Sequence, residues 1–479
     1  MHPETAWKPR RVAWLLTHAA LRSAEVPVLK SLGCEVWTQK AFPDTAAYRS
    51  CQADTTWDID LTLPSDELAL LNGFDFYTQP ITNTIADILN RRFDLVVIDG
   101  FALKAREALT RFKGPVLMRA FGIAHPNSYT GVFFLHNVPG LAAAIRSNYD
   151  RFHFGAFYEP VIPHEAAILA NRGFHLPITL TAEAWAREGT WTGGDPSVFF
   201  VCPGINSHPE CRNIYEDFKA HFGNLPHVIA GRQTTPVDDP HVRGFMDAGE
   251  YAERFRTAAL MFYHSTEPRH LHYHPVEAMA TGMPVVYMRG GLLERFDTGC
   301  QAGACASFAE AREKAERILA GDTGLVERIR ESQKTVLAQW RPEVARQGWN
   351  AWFCRFKPGN DNMAIPVDES PCVPPDSTPG ESAMYPYIDI RENWYNTAAR
   401  RRGKNSKGLA GWLARYGVRW DPTRPRRMMQ ALGRYALAVF GEKTLLPQGL
   451  ERTRRWRQSL GLPTASAHED KPAIEMKAH

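Results

Sequence analysis

Three histidines stand at alternate positions in STEPRHLHYHPVEAMATGMPVV, residues 265–286. In an extended backbone His270, His272 and His274 would share one face, an arrangement that some metal sites use. Pro275 disfavours a long strand, because proline suits the first turn of a helix. The stretch also lacks the cysteine or paired carboxylates that would complete a ligand set. We therefore predict no metal, and two interpretations remain: contacts to a bound anion, or histidines at the surface.

The residues around the histidines predict a loop that leads into a helix. ALMFYHS (259–265) is typical of a buried strand, and VEAMATG is typical of a helix that Gly282 ends. The free N–H groups and positive dipole end of such a helix favour a phosphate or diphosphate. Glu277, expected in the first turn, is suited to accept hydrogen bonds from the vicinal hydroxyls of a sugar. From this loop and helix we predict ligand contacts by Ser265, His272, His274 and Glu277.

Apolar runs separated by helix-length segments alternate along the chain. They lie at 10–17, 93–100 and 114–122, then at 198–204, 227–231, 259–265 and 283–288. Runs that are apolar on both faces indicate parallel strands covered by helices. The segment 188–197, rich in Gly, Pro and Asp, interrupts the pattern and predicts a hinge. We expect an α/β fold of two doubly wound units, with ligands beyond the carboxyl ends of the strands.

The block HYHPVEAMATGMPVV resembles the donor-site segment of GT-B glycosyltransferases, in particular family 4 (glycosyltransferase group 1). The resemblance is weaker over 198–319, rests on pattern alone in the first domain, and does not cover the chain past 366. It implies two Rossmann-like domains that face each other across a cleft. The composition and helical patterns past 366 separately predict a basic helical extension. The expected boundaries are 1–185 for the acceptor domain, 186–345 for the donor domain, and 346–479 for crossover helices, a Pro-rich linker and the extension.

Through this resemblance Glu277 becomes the second of two family glutamates, which binds the ribose of a nucleotide sugar. The position of the first glutamate, eight residues earlier, holds Arg269, and the nearest acid is Glu267. Two alternatives follow: Glu267 takes the catalytic role near the transferred sugar, or the role is lost and Arg269 contacts phosphate.

The reaction that the resemblance implies separates charge, since negative charge grows on the diphosphate as the bond to the sugar breaks. Arg212, at the start of the helix after VCPG, can hold two phosphate oxygens, and Gly204 ends that strand. The alternative for Arg212 is an exposed residue at a helix start. Cationic side chains and a helix end take the place of a divalent cation, so the nucleotide sugar is a substrate and no cofactor is expected.

In the first domain His18 and Arg119 follow predicted strands and are expected to face the cleft. Either side chain would be placed to activate an acceptor hydroxyl if the reaction inverts configuration. If configuration is retained, as family 4 implies, the leaving phosphate takes the proton and no separate base is needed.

Charge is distributed very unevenly along the chain. Residues 400–457 carry sixteen Lys or Arg against three acids, and the overall charge of +4 leaves about −9 for the rest. Five aromatic residues interleave with these cations, which is typical of an interfacial anchor for anionic lipid. A solvated surface without a partner is one alternative, and contact with a nucleic-acid backbone is another that we rank lower because no nucleic-acid motif is present.

The remaining composition is that of a globular protein with 44% hydrophobic residues. The eight cysteines are scattered, which favours reduced thiols, and no apolar run reaches the roughly 18 residues of a membrane span. We expect a cytoplasmic protein, peripheral at the inner membrane face if the basic tail binds lipid.

The predicted function is sugar transfer from a nucleotide-diphosphate sugar to a glycan or lipid-linked glycan. The alternatives are a sugar-nucleotide epimerase of the same fold, a glycosyltransferase that modifies nucleic acid, and a glycosyltransferase-like binding protein that has lost its first glutamate.

Overall fold

The computed structural model describes residues 8–16, 18–42, 53–124, 127–135, 138 and 140–355. The Pro-rich linker and the basic segment 400–457 lie outside the described residues, and so do the predictions made for them.

The first sheet contains six parallel strands, and nearly all of their residues are buried. The strands are β1 (Arg11–Trp14), β2 (Glu35–Thr38), β3 (Leu95–Ile98), β4 (Val116–Ala120), β5 (Phe152–Ala156) and β6 (Gly173–His175). Their order across the sheet is β2-β1-β3-β4-β5-β6. The order reverses between β1 and β3, and doubly wound sheets generally bind a ligand beyond the carboxyl ends of the strands at such a reversal.

Helices cover this sheet on both faces, as the apolar strands require. They are α1 (Ala19–Ser31), α2 (Ser65–Asn72), α3 (Asn83–Arg92), α4 (Ala102–Arg111), α5 (Tyr129–Leu135), α6 (Leu141–Ser147), α7 (Ala167–Ala170) and α8 (Ala182–Trp185), with 3-10 turns at Thr56–Asp60 and Glu159–His164. Polar side chains cap the first turn of several of these helices. Thr82 accepts the backbone N–H of Ile85 at the start of α3, and His18 occupies the equivalent position at α1.

The second sheet also contains six parallel strands. They are β7 (Asp195–Val201), β8 (His227–Ala230), β9 (Val242–Gly244), β10 (Ala258–Tyr263), β11 (Val285–Met288) and β12 (Ala304–Cys305). The order β12-β11-β10-β7-β8-β9 is that of a dinucleotide-binding sheet, with its reversal between β7 and β10. The loops after β7 and β10 flank the position at which doubly wound sheets generally bind a ligand.

The helices of the second half are α9 (Pro209–Phe222), α10 (Ala248–Thr257), α11 (Tyr273–Thr281), α12 (Leu292–Phe296), α13 (Phe308–Leu319), α14 (Thr323–Gln339) and α15 (Pro342–Arg355). Asp247 and Glu250 form a capping box at the start of α10. The final helix, α15, returns to the first domain and packs against α1.

The two halves share apolar contacts where they meet. The ring of Tyr158, which follows β5, lies 6.1 Å from Phe296 and 6.3 Å from Trp340, both in the second half of the chain. Tyr158 and Trp340 belong to one continuous buried cluster, and the partly buried Phe296 packs against it.

The predicted fold of two doubly wound α/β units is confirmed. Each of the seven predicted strands is present, whereas β2, β5, β6, β9 and β12 were not among them, because they are short or interrupted by polar residues and glycine. Within the described part of the chain, no helix combines the length and the apolar character that crossing a membrane requires.

Candidate donor site at the domain interface

The loop between β10 and α11 is held in place at its first turn. Ser265 is buried, and its hydroxyl accepts the backbone N–H of Glu267 at 3.3 Å. The carbonyl of Glu267 in turn accepts the N–H of Leu292, at the start of α12, at 2.9 Å. A side chain at Gly291 would place its Cβ 2.5 Å from the carbonyl of Ser265, so glycine is required for this approach.

Glu267 and Arg269 form a buried pair within this loop. The backbone N–H and the Nε of Arg269 lie 3.0 and 3.4 Å from Oε1 of Glu267. Only 1% of Glu267 and 4% of Arg269 is exposed, and Nη2 of Arg269 is buried without a hydrogen bond within the described residues. The sequence offered the Glu267 carboxylate and the Arg269 guanidinium as alternatives for one role. In the structure the two groups are in contact with each other.

The same loop docks on the first domain. Nη1 of Arg269 donates to the carbonyl of Asn127 at 3.2 Å, and the hydroxyl of Tyr158 donates to the carbonyl of Leu271 at 2.9 Å. Gly122, at φ +91°, allows the closest approach, since a Cβ there would lie 2.6 Å from the carbonyl of Arg269. The carboxyl edges of the two sheets therefore meet at this loop.

His270, His272 and His274, the last of them in the first turn of α11, pack against one another, and His272 and His274 also contact the ring of Tyr263. Ring centroids are 4.6 Å apart for His270 and His272, and 5.2 Å apart for His272 and His274. Burial lowers the pKa of His270 to about 4 and of His274 to about 3, and it holds the pKa of His272 well below its usual value. All three rings are therefore neutral near pH 7.

His272 and His274 were predicted to contact the donor. The structure places them beside Tyr263, whose hydroxyl lies 3.1 Å from Nδ1 of His272. Among the residues that the structure describes, no group of three or more His, Cys, Asp or Glu side chains is arranged to hold a metal ion.

Glu277 lies on α11 and is partly buried. The helix begins at Tyr273, which moves Glu277 from the predicted first turn to the second. Burial raises the pKa of Glu277 to about 7, and the nearby charge of Arg187 acts in the opposite direction. Among the described residues this carboxyl accepts no hydrogen bond, and Nε of Arg187 is buried and also unpaired. The carboxyl is thus available to a ligand.

Gly204 and Arg212 lie at the other side of the crevice, after β7. Gly204 has φ +66°, and its carbonyl accepts the N–H groups of Ser207 and His208 in the turn before α9. The guanidinium of Arg212 is about half exposed and binds Glu216 at 2.6 Å and Asn206 at 2.7 Å. Arg212 therefore lies at a helix start as predicted, but its donors already have protein acceptors, and its contact with phosphate stays a prediction.

His18 caps α1 and lies near the loop between β10 and α11. Its Nδ1 accepts the N–H of Leu21 at 3.4 Å, and its ring lies 6.1 Å from that of Phe121. Burial, followed by the charge of Arg22, lowers the pKa of His18 to about 4. Because Nδ1 is the acceptor of this bond, the neutral ring carries its proton on Nε2. His18 also lies close enough to His270 to influence the pKa of that ring.

The expectation that Arg119 faces the cleft is wrong. Arg119 is inside β4 and fully buried, where its guanidinium pairs with Glu25 of α1. It also donates to the carbonyls of Gly155 at 3.0 Å and Leu176 at 3.1 Å, and it lies 3.8 Å above the ring of Phe157. The strand continues past Arg119 and directs the side chain into the packing between sheet and helix.

Sequence reasoning missed three residues that complete the interface, Gly122, Asn127 and Tyr158. Asn127 accepts the hydrogen bond from Arg269 through its backbone carbonyl, and every residue type has this carbonyl, so the sequence does not indicate the contact. The glycine that ends the predicted strand 114–122 was the one available signal, because close backbone approach often requires glycine.

No family model and no curated protein matches this chain. Among solved structures, it is similar to the calicheamicin glycosyltransferase CalG4, with 16% identity over 73% of this chain and 99% of that chain, at a TM-score of 0.39. It is also similar to Anabaena HepE in complex with UDP and glucose (13% identity, 72% and 100% of the chains, TM-score 0.47). A third is the sucrose-phosphate synthase of Thermosynechococcus elongatus (13% identity, 72% and 98%, TM-score 0.44). Identities and TM-scores this low establish no family membership.

Proposed function

We propose that this protein is a glycosyltransferase that binds a nucleotide-diphosphate sugar at the carboxyl edge of the second sheet. The observation that carries the proposal is the partly buried carboxyl of Glu277, which accepts no hydrogen bond from the residues that the structure describes. It stands on the helix that follows a loop docked on the opposite domain. A carboxylate in this setting is suited to the two vicinal hydroxyls of a ribose, which supply the donors that it lacks.

The diphosphate would lie between the loops after β7 and β10, at the reversal of strand order. The positive ends of α9 and α11 favour the negative charge that grows there as the sugar leaves. Arg212 adds a cation after rotation away from Glu216, an exposed ion pair that costs little to break. These groups would serve the leaving group without a divalent cation.

The acceptor would enter from the first domain, where His18 faces the donor loop. A neutral ring that carries its proton on Nε2 is suited to donate a hydrogen bond to a substrate hydroxyl, and a low pKa makes it a weak general base. This favours a retaining reaction, in which the leaving diphosphate takes the acceptor proton. Glu267 would then stabilise positive charge on the sugar.

For the acceptor we propose a glycan or a lipid-linked glycan, with the enzyme in the cytoplasm. The basic segment 400–457 would bring the protein to an anionic membrane surface. Nucleic acid is the less favoured acceptor.

Isothermal titration with UDP, GDP, ADP and their sugars tests donor binding. We expect saturable binding of one nucleotide, and weakening of about tenfold or more in Glu277→Gln, because a charge-assisted hydrogen bond is lost. Glu331→Gln, an exposed glutamate on α14, is the matched control and should bind as wild type does. Absence of binding to every nucleotide, or equal affinity in Glu277→Gln, would contradict the proposal.

A further inference from the structure

Three hydrogen-bonding side chains from different elements meet beside the second turn of α11. Glu277 stands on that helix, Tyr251 lies near the start of α10, and Arg187 follows α8 in the segment that links the two domains. All three are partly buried. Among the described residues, the hydroxyl of Tyr251 and the carboxyl of Glu277 have no hydrogen bond, and Nε of Arg187 is buried and unpaired. Because buried polar groups normally have partners, this cluster indicates the position of a polar ligand.

The register between α10 and α11 brings Tyr251 and Glu277 together. The hydroxyl of Thr281 on α11 donates to the carbonyl of Phe255 on α10 at 3.3 Å. Both helices run in the same direction, against the parallel strands that they connect. Tyr251 and Glu277 each lie four residues, about one turn, before that contact, so they occupy neighbouring positions. The ring of Tyr251 packs on Phe255 at 4.8 Å and on Phe199 at 5.7 Å, which leaves the hydroxyl as its polar end.

The segment between the domains adds a cation to these two groups. The N–H of Gly189 donates to the carbonyl of Ala280, in the last turn of α11, at 3.0 Å. Arg187 precedes Gly189 by two residues, and its charge lies close enough to act on the Glu277 carboxyl. The carboxylate balances the charge of the guanidinium and repels a phosphate. The pair is therefore better suited to neutral hydroxyl groups than to an anion.

The donors and acceptors of this cluster match the two hydroxyls of one ribose. The carboxylate of Glu277 would accept a hydrogen bond from each hydroxyl, while Arg187 would donate to one of the hydroxyl oxygens. Burial, followed by the charge of Glu277, holds the pKa of Tyr251 well above its usual value, so the phenol keeps its proton and is suited to donate to the other oxygen. A 2′-deoxyribose lacks one of the hydroxyls. It would leave a donor of the protein and a carboxylate oxygen without partners.

We propose that Arg187 and Tyr251 complete the pocket of Glu277 and make it selective for ribonucleotide donors over their 2′-deoxy counterparts. The inference rests on the proposed function, in which Glu277 binds the ribose of the donor. It narrows the donor to ribonucleotide sugars and excludes deoxythymidine diphosphate sugars. The selectivity arises because a deoxy ligand leaves buried polar groups unpaired, which is a larger loss than one absent contact.

Isothermal titration with matched pairs of nucleotides tests the selectivity. UDP, GDP and ADP are each compared with the 2′-deoxy form of the same nucleotide in the full-length protein at pH 8, where Glu277 is largely ionised because its pKa is about 7. The members of a pair differ by one oxygen atom, so the base and the diphosphate contribute equally. We expect the pair that binds to show about tenfold or more weaker affinity for the deoxy member.

Variants assign the selectivity to the two proposed residues. We expect Arg187→Gln and Tyr251→Phe each to lower the ratio of the deoxy Kd to the ribo Kd about threefold or more, mainly through weaker binding of the ribonucleotide. Arg317→Gln, which breaks an exposed pair with Asp322, is the matched control and should keep the wild-type ratio. Thermal unfolding of each unliganded variant verifies that it is folded.

The possible outcomes separate this inference from the proposed function. Equal Kd values for both members of every pair in wild type would overturn the inference and leave the proposed function intact. Equal weakening of both members in Arg187→Gln would identify a contact to the base or the diphosphate, which refutes the role of Arg187 in selectivity. Binding of no nucleotide at all would contradict the proposed function, and this inference with it.

Discussion

The carboxyl of Glu277 should make donor binding depend on pH near neutrality. Burial raises its pKa to about 7, and no hydrogen bond from the described residues stabilises the ionised form. Ribose hydroxyls donate to a carboxylate more strongly than to a neutral acid. Donor affinity should therefore be highest above the pKa and fall as the group takes up a proton.

The size of the effect follows from the pKa alone. One pH unit below it about a tenth of the sites are ionised, and one unit above it about nine tenths. If only the ionised form binds well, the Kd should be about tenfold higher at pH 6 than at pH 8. Glu277→Gln removes the titration, so its Kd should be weaker and nearly independent of pH.

Calorimetry with a nucleotide sugar is the suitable assay. A free nucleoside diphosphate has a terminal phosphate that itself titrates near pH 6, whereas in a nucleotide sugar that group is esterified. The control Glu331→Gln should follow wild type at each pH. A wild-type Kd that stays constant from pH 6 to 8, or an equal pH dependence in Glu277→Gln, would refute the assignment of Glu277.

Three further predictions concern the core, the histidines and the tail. Glu25→Gln or Arg119→Met should each lower the free energy of unfolding in urea by about 3–5 kcal/mol, because one buried charge loses its partner, and the double variant should lose less than the sum. The pKa of His270 is about 4 in the folded protein and near its usual value of 6.5 in the unfolded chain. Because the unfolded chain binds the proton more readily between these values, the contribution of His270 to stability is complete above pH 6.5 and declines as the pH falls toward 4. Urea unfolding at pH 5 and 7.5 should show this decline, and a decline equally steep in His270→Gln would contradict it. The full chain should pellet with anionic vesicles in a salt-sensitive manner, and truncation after Pro386 should abolish this; stronger competition by duplex DNA would instead favour a nucleic-acid acceptor, and no binding to either would leave residues 400–457 as a solvated surface.

Patterns in the sequence were sufficient for the architecture because buried parallel strands carry a local signature. LVVI of β3 and VLM of β4 are apolar on both faces, and short runs of this kind are typical of strands that are buried on both sides. The short strands β6 and β12 lack the signature, since their positions depend on pairing with neighbours already in the sheet. Sequence periodicity does not report that pairing.

The candidate site was predicted only in part, for a related reason. Glu267 and Arg269 are close in sequence, so both could be identified, but the contact of Arg269 with the first domain is to a backbone carbonyl 142 residues away. Arg119 was misplaced because Glu25, its partner in the core, lies 94 residues earlier in the sequence. A charged side chain near the end of a strand can face the cleft or the core. It is buried in the core when an oppositely charged side chain is there to pair with it.

Release of free nucleotide from a nucleotide sugar tests the central claim most directly. Wild type, Glu267→Gln and Glu331→Gln are incubated with UDP-, GDP- and ADP-sugars in EDTA, with and without glycan acceptors, and the products are identified by mass spectrometry and NMR. We predict that one donor yields free nucleoside diphosphate and a glycosylated acceptor in wild type and Glu331→Gln, with a large loss in Glu267→Gln. Epimerised donor, activity that appears only when zinc or manganese is restored, or donor binding with no turnover in any combination would contradict the account.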